Sequence, residues 1–295
     1  MAVATYNRAE RAAAACREVL GQTCTDFELV VVDDGSTDAT AERLAEIIDP
    51  RLRVIGRPNG GISAARNTGA AEGRGRYLVF LDDDDRPEPT WLERFGAAID
   101  ETGAAFVSCG AATVTPSGDV VATRLPAPMG RLFGDAAALV LAGTFAVERA
   151  LFEEVGGYTE GLQCSHQTDL ALRLLPECRR RGAVVAVVPE TLLRIERRPA
   201  GERPEASAEK LLSGTTHLLE AHARALAAAP VARANFHAIA GVAAARLGRR
   251  GLARHHFLQA VRARPRESIH WKRLAVSCTG PAGTRFWRST ETREA

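Results

Sequence analysis

The sequence has no apolar run approaching the roughly 20 residues that a membrane-spanning helix needs, and no cysteine pair at the spacing of a metal knuckle or redox motif. Its six cysteines (Cys16, Cys24, Cys109, Cys164, Cys178, Cys278) are scattered, which suits reduced thiols in a cytoplasmic protein and argues against a disulfide framework. The opening Met-Ala-Val-Ala-Thr-Tyr shows no basic segment leading into an apolar stretch, so no export signal is expected. Net charge is also scarce: 38 basic residues against 36 acidic leave +2, too little for a global field that would recruit nucleic acid or an anionic membrane. What remains is a chain of 295 residues, 46% of them hydrophobic, long enough to bury a full core as one large domain or a domain with a smaller appendage.

The first hundred residues alternate short β-branched apolar runs with helical-period stretches, the pattern of an α/β domain with a parallel sheet and crossover helices. Strands are predicted at Val3–Thr5, Phe27–Val32, Leu52–Ile55, Tyr77–Leu81, Ala105–Cys109, Thr144–Val147 and Val184–Val188. Helices are predicted at Arg8–Leu20, Ala39–Ile48, Ser63–Glu72, Trp91–Ile99, Glu148–Glu154 and Thr168–Arg181, the last with a kink at Pro176. Ser36, Thr37 and Asp38 stand where an N-cap belongs, and residues 110–143 look irregular. Only Met1, Ala2 and Val3 precede Ala4, so the first strand is expected to be clipped or the start misplaced. The acidic clusters Asp33-Asp34 and Asp82 to Asp85 fall at carboxyl ends of strands, where open parallel sheets bind their ligands.

After Pro199 the composition shifts. Residues 1–198 read as the sheet domain, 199–207 (PAGERPEAS) as a linker, and 208–295 as an alanine- and arginine-rich helical extension whose end is expected to be disordered. Ala232–Ala263 holds two helical patterns separated by Gly248 and Gly251, closing like a tetratricopeptide-type helix pair. A single such unit supports a docked helical extension rather than a repeat array, which needs several units to bury a core. Arg246, Arg249, Arg250, Arg254, His255 and His256 form a basic stretch there, read either as a solvated helix face or as a surface meeting an anionic acceptor or the inner face of a membrane peripherally.

Four segments carry a resemblance: ATYNR from Ala4, LVVVDDGSTDAT from Leu29, NGGISAARNTGAAEGRGRYLVFLDDDD from Asn59, and GGYTE from Gly156. In this order and spacing the chain resembles the family 2 inverting glycosyltransferases over roughly residues 1–200. That resemblance implies a GT-A type fold, a mostly parallel nucleotide-binding sheet flanked by helices. It also implies transfer of a sugar from a nucleoside-diphosphate donor, UDP or dTDP favoured, to a hydroxyl of a glycan, lipid-linked or small-molecule acceptor. The family's Asp-x-Asp pattern falls on Asp82 and Asp84 as ligands of Mg2+ or Mn2+, hard cations that take carboxylate oxygens. In a run of four aspartates the register is ambiguous by one, so Asp83 and Asp85 compete for the ribose and metal roles, with Asp83 assigned to the nucleotide. Asp34 is placed on the nucleobase, where a carboxylate can accept from an imide N–H. Ala4, Thr5 and Tyr6 would flank the base, and Arg66, with Asn67 a weaker match, would face the phosphates.

The proton-accepting group departs from the family. Its Glu-Asp pair, aligned on Asp169-Leu170, falls on His166-Gln167, and a carboxamide is not a base near neutral pH. Two substitutes are open, His166 by its ordinary pKa and Asp169, which also reads as a first-turn acid of its helix. The remaining alternative is a catalytically impaired sugar-nucleotide-binding scaffold acting through its helical tail.

Overall fold

The computed structural model describes residues 1–196 and 208–279. The linker expected at 199–207 and the chain beyond 279 lie outside the described residues. Two compact units result, one of Met1–Gly161 with the chain from Gln167 to the end of the last strand, the other of Leu162–His166 with the C-terminal helices.

The first unit runs β1 (Ala2–Thr5), α1 (Ala9–Leu20), β2 (Leu29–Asp33), α2 (Thr40–Ala45), β3 (Leu52–Gly56), α3 (Ile62–Glu72), β4 (Tyr77–Asp82), β5 (Asp85–Pro87) and α4 (Trp91–Thr102). It continues through β6 (Phe106–Val114), β7 (Val120–Arg124), the two-residue strands β8 (Ala127–Pro128) and β9 (Ala137–Ala138), β10 (Phe145–Glu148), α5 (Arg149–Glu154), α6 (His166–Arg181) and β11 (Val185–Glu196). The main sheet has the order β3-β2-β1-β4-β10-β6-β11-β5, with β7 paired to β6. Its first four strands are parallel, as the alternating pattern implied. The sheet as a whole is mixed rather than mostly parallel, because β10 enters antiparallel between β4 and β6, and β5 and β7 also pair antiparallel.

Apolar residues on β4 alternate between two cores, as the period of a strand requires. Val79 and Leu81 join Val3, Val31, Cys16, Trp91 and Phe95 under α1 and α4. Leu78 and Phe80 join Phe106, Phe145, Phe152, Tyr158 and Leu170 under α5 and α6. Burial on both faces holds the strand so that its polar end projects out of the sheet.

Three sequence expectations change. The helix expected at Ala39–Ile48 is the short α2, preceded by Asp38 Oδ1 accepting from the Thr40 amide at 3.1 Å. Residues 110–143 are partly regular: β6 runs on to Val114 and turns back as β7. The strand expected to stop at Val188 is the twelve-residue β11, whose pairing with β6 shifts register between Val188 and Thr191. Pro189, which lacks a ladder donor, sits in that irregularity.

The second unit holds α7 (Ala208–Ala221), α8 (Ala223–Ala227), α9 (Pro230–Arg246), α10 (Arg250–Ala263) and α11 (Ser268–Cys278). α9 and α10 form the expected helix pair, and their core is built from Ala240, Ala243 and Ala244 against Leu212 and Phe257. Small residues let the helices approach closely: a Cβ on Gly241 would lie 2.5 Å from the Phe257 ring. Phe257 is fully buried and cannot swing aside. Gly241→Val is therefore expected to destabilise the helical unit by about 2–3 kcal/mol through overpacking. Gly251→Ala, at a position with open space, should instead stabilise it by up to about 1 kcal/mol; urea unfolding followed by circular dichroism separates the two.

Candidate functional site

The site is assembled from three loops at the carboxyl ends of β1, β2 and β4. After β1 the chain turns through Asn7, which takes φ 52°. Its side-chain oxygen accepts from the Thr37 amide at 2.7 Å, and its own amide donates to Ser36 Oγ at 2.9 Å. This ties the first loop to the second. Gly35, at φ +82°, lets the second loop pass the loop that follows β3, since a Cβ there would stand 2.8 Å from the Asn59 amide nitrogen.

Asp34 is 3% exposed. Its Oδ1 accepts from the Gly60 amide at 3.0 Å and its Oδ2 from the Gly61 amide at 2.7 Å, with Arg57 Nε 3.4 Å from Oδ1. Asn59 Nδ2 donates to the Asp34 carbonyl at 2.8 Å. The carboxylate thus holds the Gly-Gly turn in place, a task the sequence did not reveal. Ala4 and Thr5 are buried beside it, whereas Tyr6 is 47% exposed.

The four aspartates form the tight turn between β4 and β5. Asp82 closes β4 and Asp85 opens β5, where it pairs with Ile195. Asp83 turns inward: it is 2% exposed, accepts from Thr5 Oγ1 at 2.8 Å and pairs with Arg8 Nη1 at 2.5 Å. The carboxylates of Asp82, Asp84 and Asp85 turn together, each offering an oxygen within 4.8 Å of the others. Burial first, and the neighbouring Asp82 and Asp83 next, push the Asp85 carboxyl well above the usual carboxylate range. The structure therefore brings Asp82 and Asp84 together, adds Asp85 to them, and sets Asp83 apart.

Arg66 is the buried cation beside this cluster. It is 2% exposed on α3, its Nη2 is hydrogen-bonded to Asp82 Oδ1, and its guanidinium lies 5.2 Å from the Tyr158 ring centroid. Burial opposes its charge, but Asp82, Tyr158 and Asp85 outweigh it and hold its pKa above the ordinary arginine value. Its Nε and Nη1 are buried with no hydrogen-bond partner among the described residues. Donors left this way are costly; Nε–H and Nη1–H point to different sides of the guanidinium, so each suits a separate anionic oxygen. Arg8, whose Nη1 also reaches Asp84 at 3.4 Å, was not singled out by the sequence reading, although it closes the ATYNR segment.

Asn67, one residue on, fixes the GGYTE turn. Its Nδ2 donates to the Tyr158 carbonyl at 2.9 Å and to Glu160 Oε1 at 3.1 Å, and its Oδ1 accepts from the Tyr158 amide at 2.9 Å. Tyr158 is buried, burial pushes its hydroxyl up to about 12, and that hydroxyl donates to Gln167 Oε1 at 3.2 Å. Gln167 Nε2 is buried without a partner among the described residues.

His166 and Asp169 both lie in the first turn of α6. Asp169 is 1% exposed, and its Oδ2 accepts from Thr159 Oγ1 at 2.7 Å and from Arg173 Nη2 at 2.7 Å. Arg173 Nη1 donates onward to the carbonyls of Val155 and Gly157, each at 2.6 Å. The geometry thus links Asp169, through Arg173, to the Gly156-Gly157 turn.

A family model described as Glycosyl transferase family 2 matches residues 1–156. The succinoglycan biosynthesis protein ExoO of Rhizobium meliloti is 43% identical over 103 residues, 35% of this chain and 30% of that protein. The chondroitin synthase of Pasteurella multocida is 37% identical over 93 residues, 31% of this chain and 10% of that protein. The chain thus spans less than a third of the length of these curated relatives. Among solved structures, S. aureus TarS 1–349 in complex with UDP-GlcNAc superposes with a TM-score of 0.60 at 18% identity, covering 94% of this chain and 89% of that one. The likeness establishes a shared GT-A type fold.

Removing the arginine beside Asp169 should be more damaging than removing both charges. Arg173→Gln is expected to cost about 3–5 kcal/mol, because it strands a buried carboxylate. In urea denaturation the double variant Asp169→Asn with Arg173→Gln should recover at least half of that loss.

Proposed function

The chain belongs to glycosyl transferase family 2, and on that premise we propose that it moves a sugar from a nucleoside-diphosphate donor, UDP- or dTDP-linked, to an acceptor hydroxyl of a glycan, a lipid-linked sugar or a small molecule. One observation carries the proposal: three carboxylates converge beside a buried arginine with two unused N–H groups. The TarS complex, which holds UDP-GlcNAc, supports a nucleotide-sugar donor.

The residues present fit a divalent cation. Asp82, Asp84 and Asp85 offer only hard oxygen donors, the set Mg2+ or Mn2+ selects. Bound there, the ion would neutralise charge developing on the leaving diphosphate. Arg66 donates Nε–H and Nη1–H to phosphate oxygens, and its burial makes those bonds strong and leaves it little freedom to reorient. Asp83, fixed by Thr5 and Arg8, accepts from a ribose hydroxyl. Asp34, fixed by the Gly60 and Gly61 amides, retains lone pairs for a base N–H. Tyr6, exposed at the mouth of β1, packs against the base.

Of the two proton acceptors, Asp169 is spent on Arg173 and Thr159. We assign the acceptor's proton to His166, the imidazole that opens α6. Gln167 favours a second reading: its carboxamide stands where the family has the aspartate, and a chain without a base would bind the donor and not turn it over. A reducing compartment suits the six cysteines, which are all free thiols, and no described helix is long and apolar enough to cross a membrane.

The test is release of nucleoside diphosphate from a panel of UDP- and dTDP-sugars, with Mg2+ or Mn2+, by the purified chain. Asp84→Asn and Arg66→Gln are expected to lower turnover about 100-fold or more. His166→Ala should lower it by about 100-fold with donor affinity unchanged. Metal-dependent UDP binding with no turnover on any donor would favour the scaffold reading.

A further inference from the structure

The C-terminal helices line an open cavity that the donor site does not explain. Its volume is about 440 Å³, and residues of α7, α8, α9 and α10 line it, all within the second unit. A cavity of this size is in the range that takes small molecules. Its floor includes Leu219 and Leu226, and its polar wall is basic: Arg233 and His237 from α9, His255, His256 and Arg262 from α10, against the single acid Glu220.

Three facts decide what such a wall recognises. Neither Arg233 nor Arg262 has a carboxylate at ion-pair distance among the described residues, although several other arginines of the chain are paired. His237 Nδ1 and His256 Nδ1 face each other at 3.1 Å, one donating to the other, which fixes both rings. Burial, then His256, His255 and Arg233, pushes His237 down to about 4, and burial followed by His255 lowers His256. Both rings are thus held toward the neutral form, and the permanent positive charge of the wall is that of the two arginines. A transition-metal site fits less well. Among the described residues the only trio of potential ligand atoms within 4.8 Å of one another is the aspartate group, and two arginines would repel a cation.

We propose that this cavity is an anion site of the helical unit, holding the phosphoryl group of a ligand between Arg233 and Arg262 with the histidine pair behind it. Guanidinium groups are the preferred partners of phosphate oxygens, and a neutral imidazole supplies an N–H donor without a carboxylate's repulsion. A soluble phosphorylated molecule and a phospholipid headgroup offer the same chemistry.

The experiment uses the full chain at constant ionic strength, with inorganic phosphate titrated and followed by 31P line broadening. Saturable binding is expected, weakened about tenfold or more in Arg233→Gln with Arg262→Gln. Arg246→Gln, on the same helix but outside the cavity, should bind as the unchanged chain does, and circular dichroism confirms helix content. Cosedimentation with vesicles of phosphatidylcholine, alone or with phosphatidylglycerol, distinguishes the sources. Capture by the anionic vesicles, lost in the double variant, identifies a headgroup; phosphate binding without capture identifies a soluble ligand. Absence of saturable binding, equal binding by the double variant, or binding lost only in Arg66→Gln would overturn the proposal. So would Zn2+ binding abolished by His237→Ala in a chain that takes no phosphate.

Discussion

Four adjacent carboxylates repel one another, and the local structure at the end of β4 follows from how that repulsion is relieved. Two unit charges 4.8 Å apart, the limit within which Asp82, Asp84 and Asp85 bring their oxygens, oppose each other by roughly 3.5 kcal/mol at an effective dielectric near 20. Three such pairs would consume much of a domain's net stability. The fold separates the run instead. Asp83 is turned under the sheet edge to Thr5 and Arg8, Asp82 is paired with Arg66, and Asp85 is held toward its neutral form by burial. On the function proposed above, the same residues that make the turn tolerable are the ones that would hold a cation and an anion together. Arg66 has donors to spare, and three carboxylates remain grouped.

A second set of contacts ties α3 to the helix that leads into β11. Arg66 lies against Tyr158, Tyr158 is fixed by Asn67, and Arg173 braces the preceding glycine turn while pairing with Asp169. One continuous set of polar contacts therefore runs from α3 through GGYTE to α6. A position in this set cannot be exchanged freely, and Asp169 belongs to it through Arg173. It also makes Gln167 intelligible, since a neutral side chain accepting from Tyr158 adds no further charge beside Arg173.

Much of this was legible in the sequence where patterns have phase. Leu29–Val32 and Tyr77–Leu81 are unbroken apolar runs, and both are fully paired strands. The second half of β6 was not, because Gly110, Ala111 and Ala112 carry no alternation, and β11 was cut short by Pro189. At the site, the acidic turn stood out by composition and Arg66 by the family resemblance, but four identical residues have no phase, so the inward turn of Asp83 was not legible. Asp34's clamp on Gly60 and Gly61 and Arg8's pairing with Asp83 are long-range contacts that local spacing does not encode. The link between Asp169 and Arg173 has the i,i+4 spacing of a helical ion pair, a signal present in the sequence beside the first-turn and catalytic readings of Asp169.

The central claim is that the β4–β5 turn holds a divalent cation while Arg66 binds the diphosphate. A crystal of the chain grown with Mn2+ and UDP, measured for anomalous scattering, tests it most directly. The expected result is a manganese peak among Asp82, Asp84 and Asp85, with Arg66 Nε and Nη1 at hydrogen-bond distance from diphosphate oxygens. UDP bound with no manganese at those carboxylates, or with Arg66 turned away from the diphosphate, would contradict it.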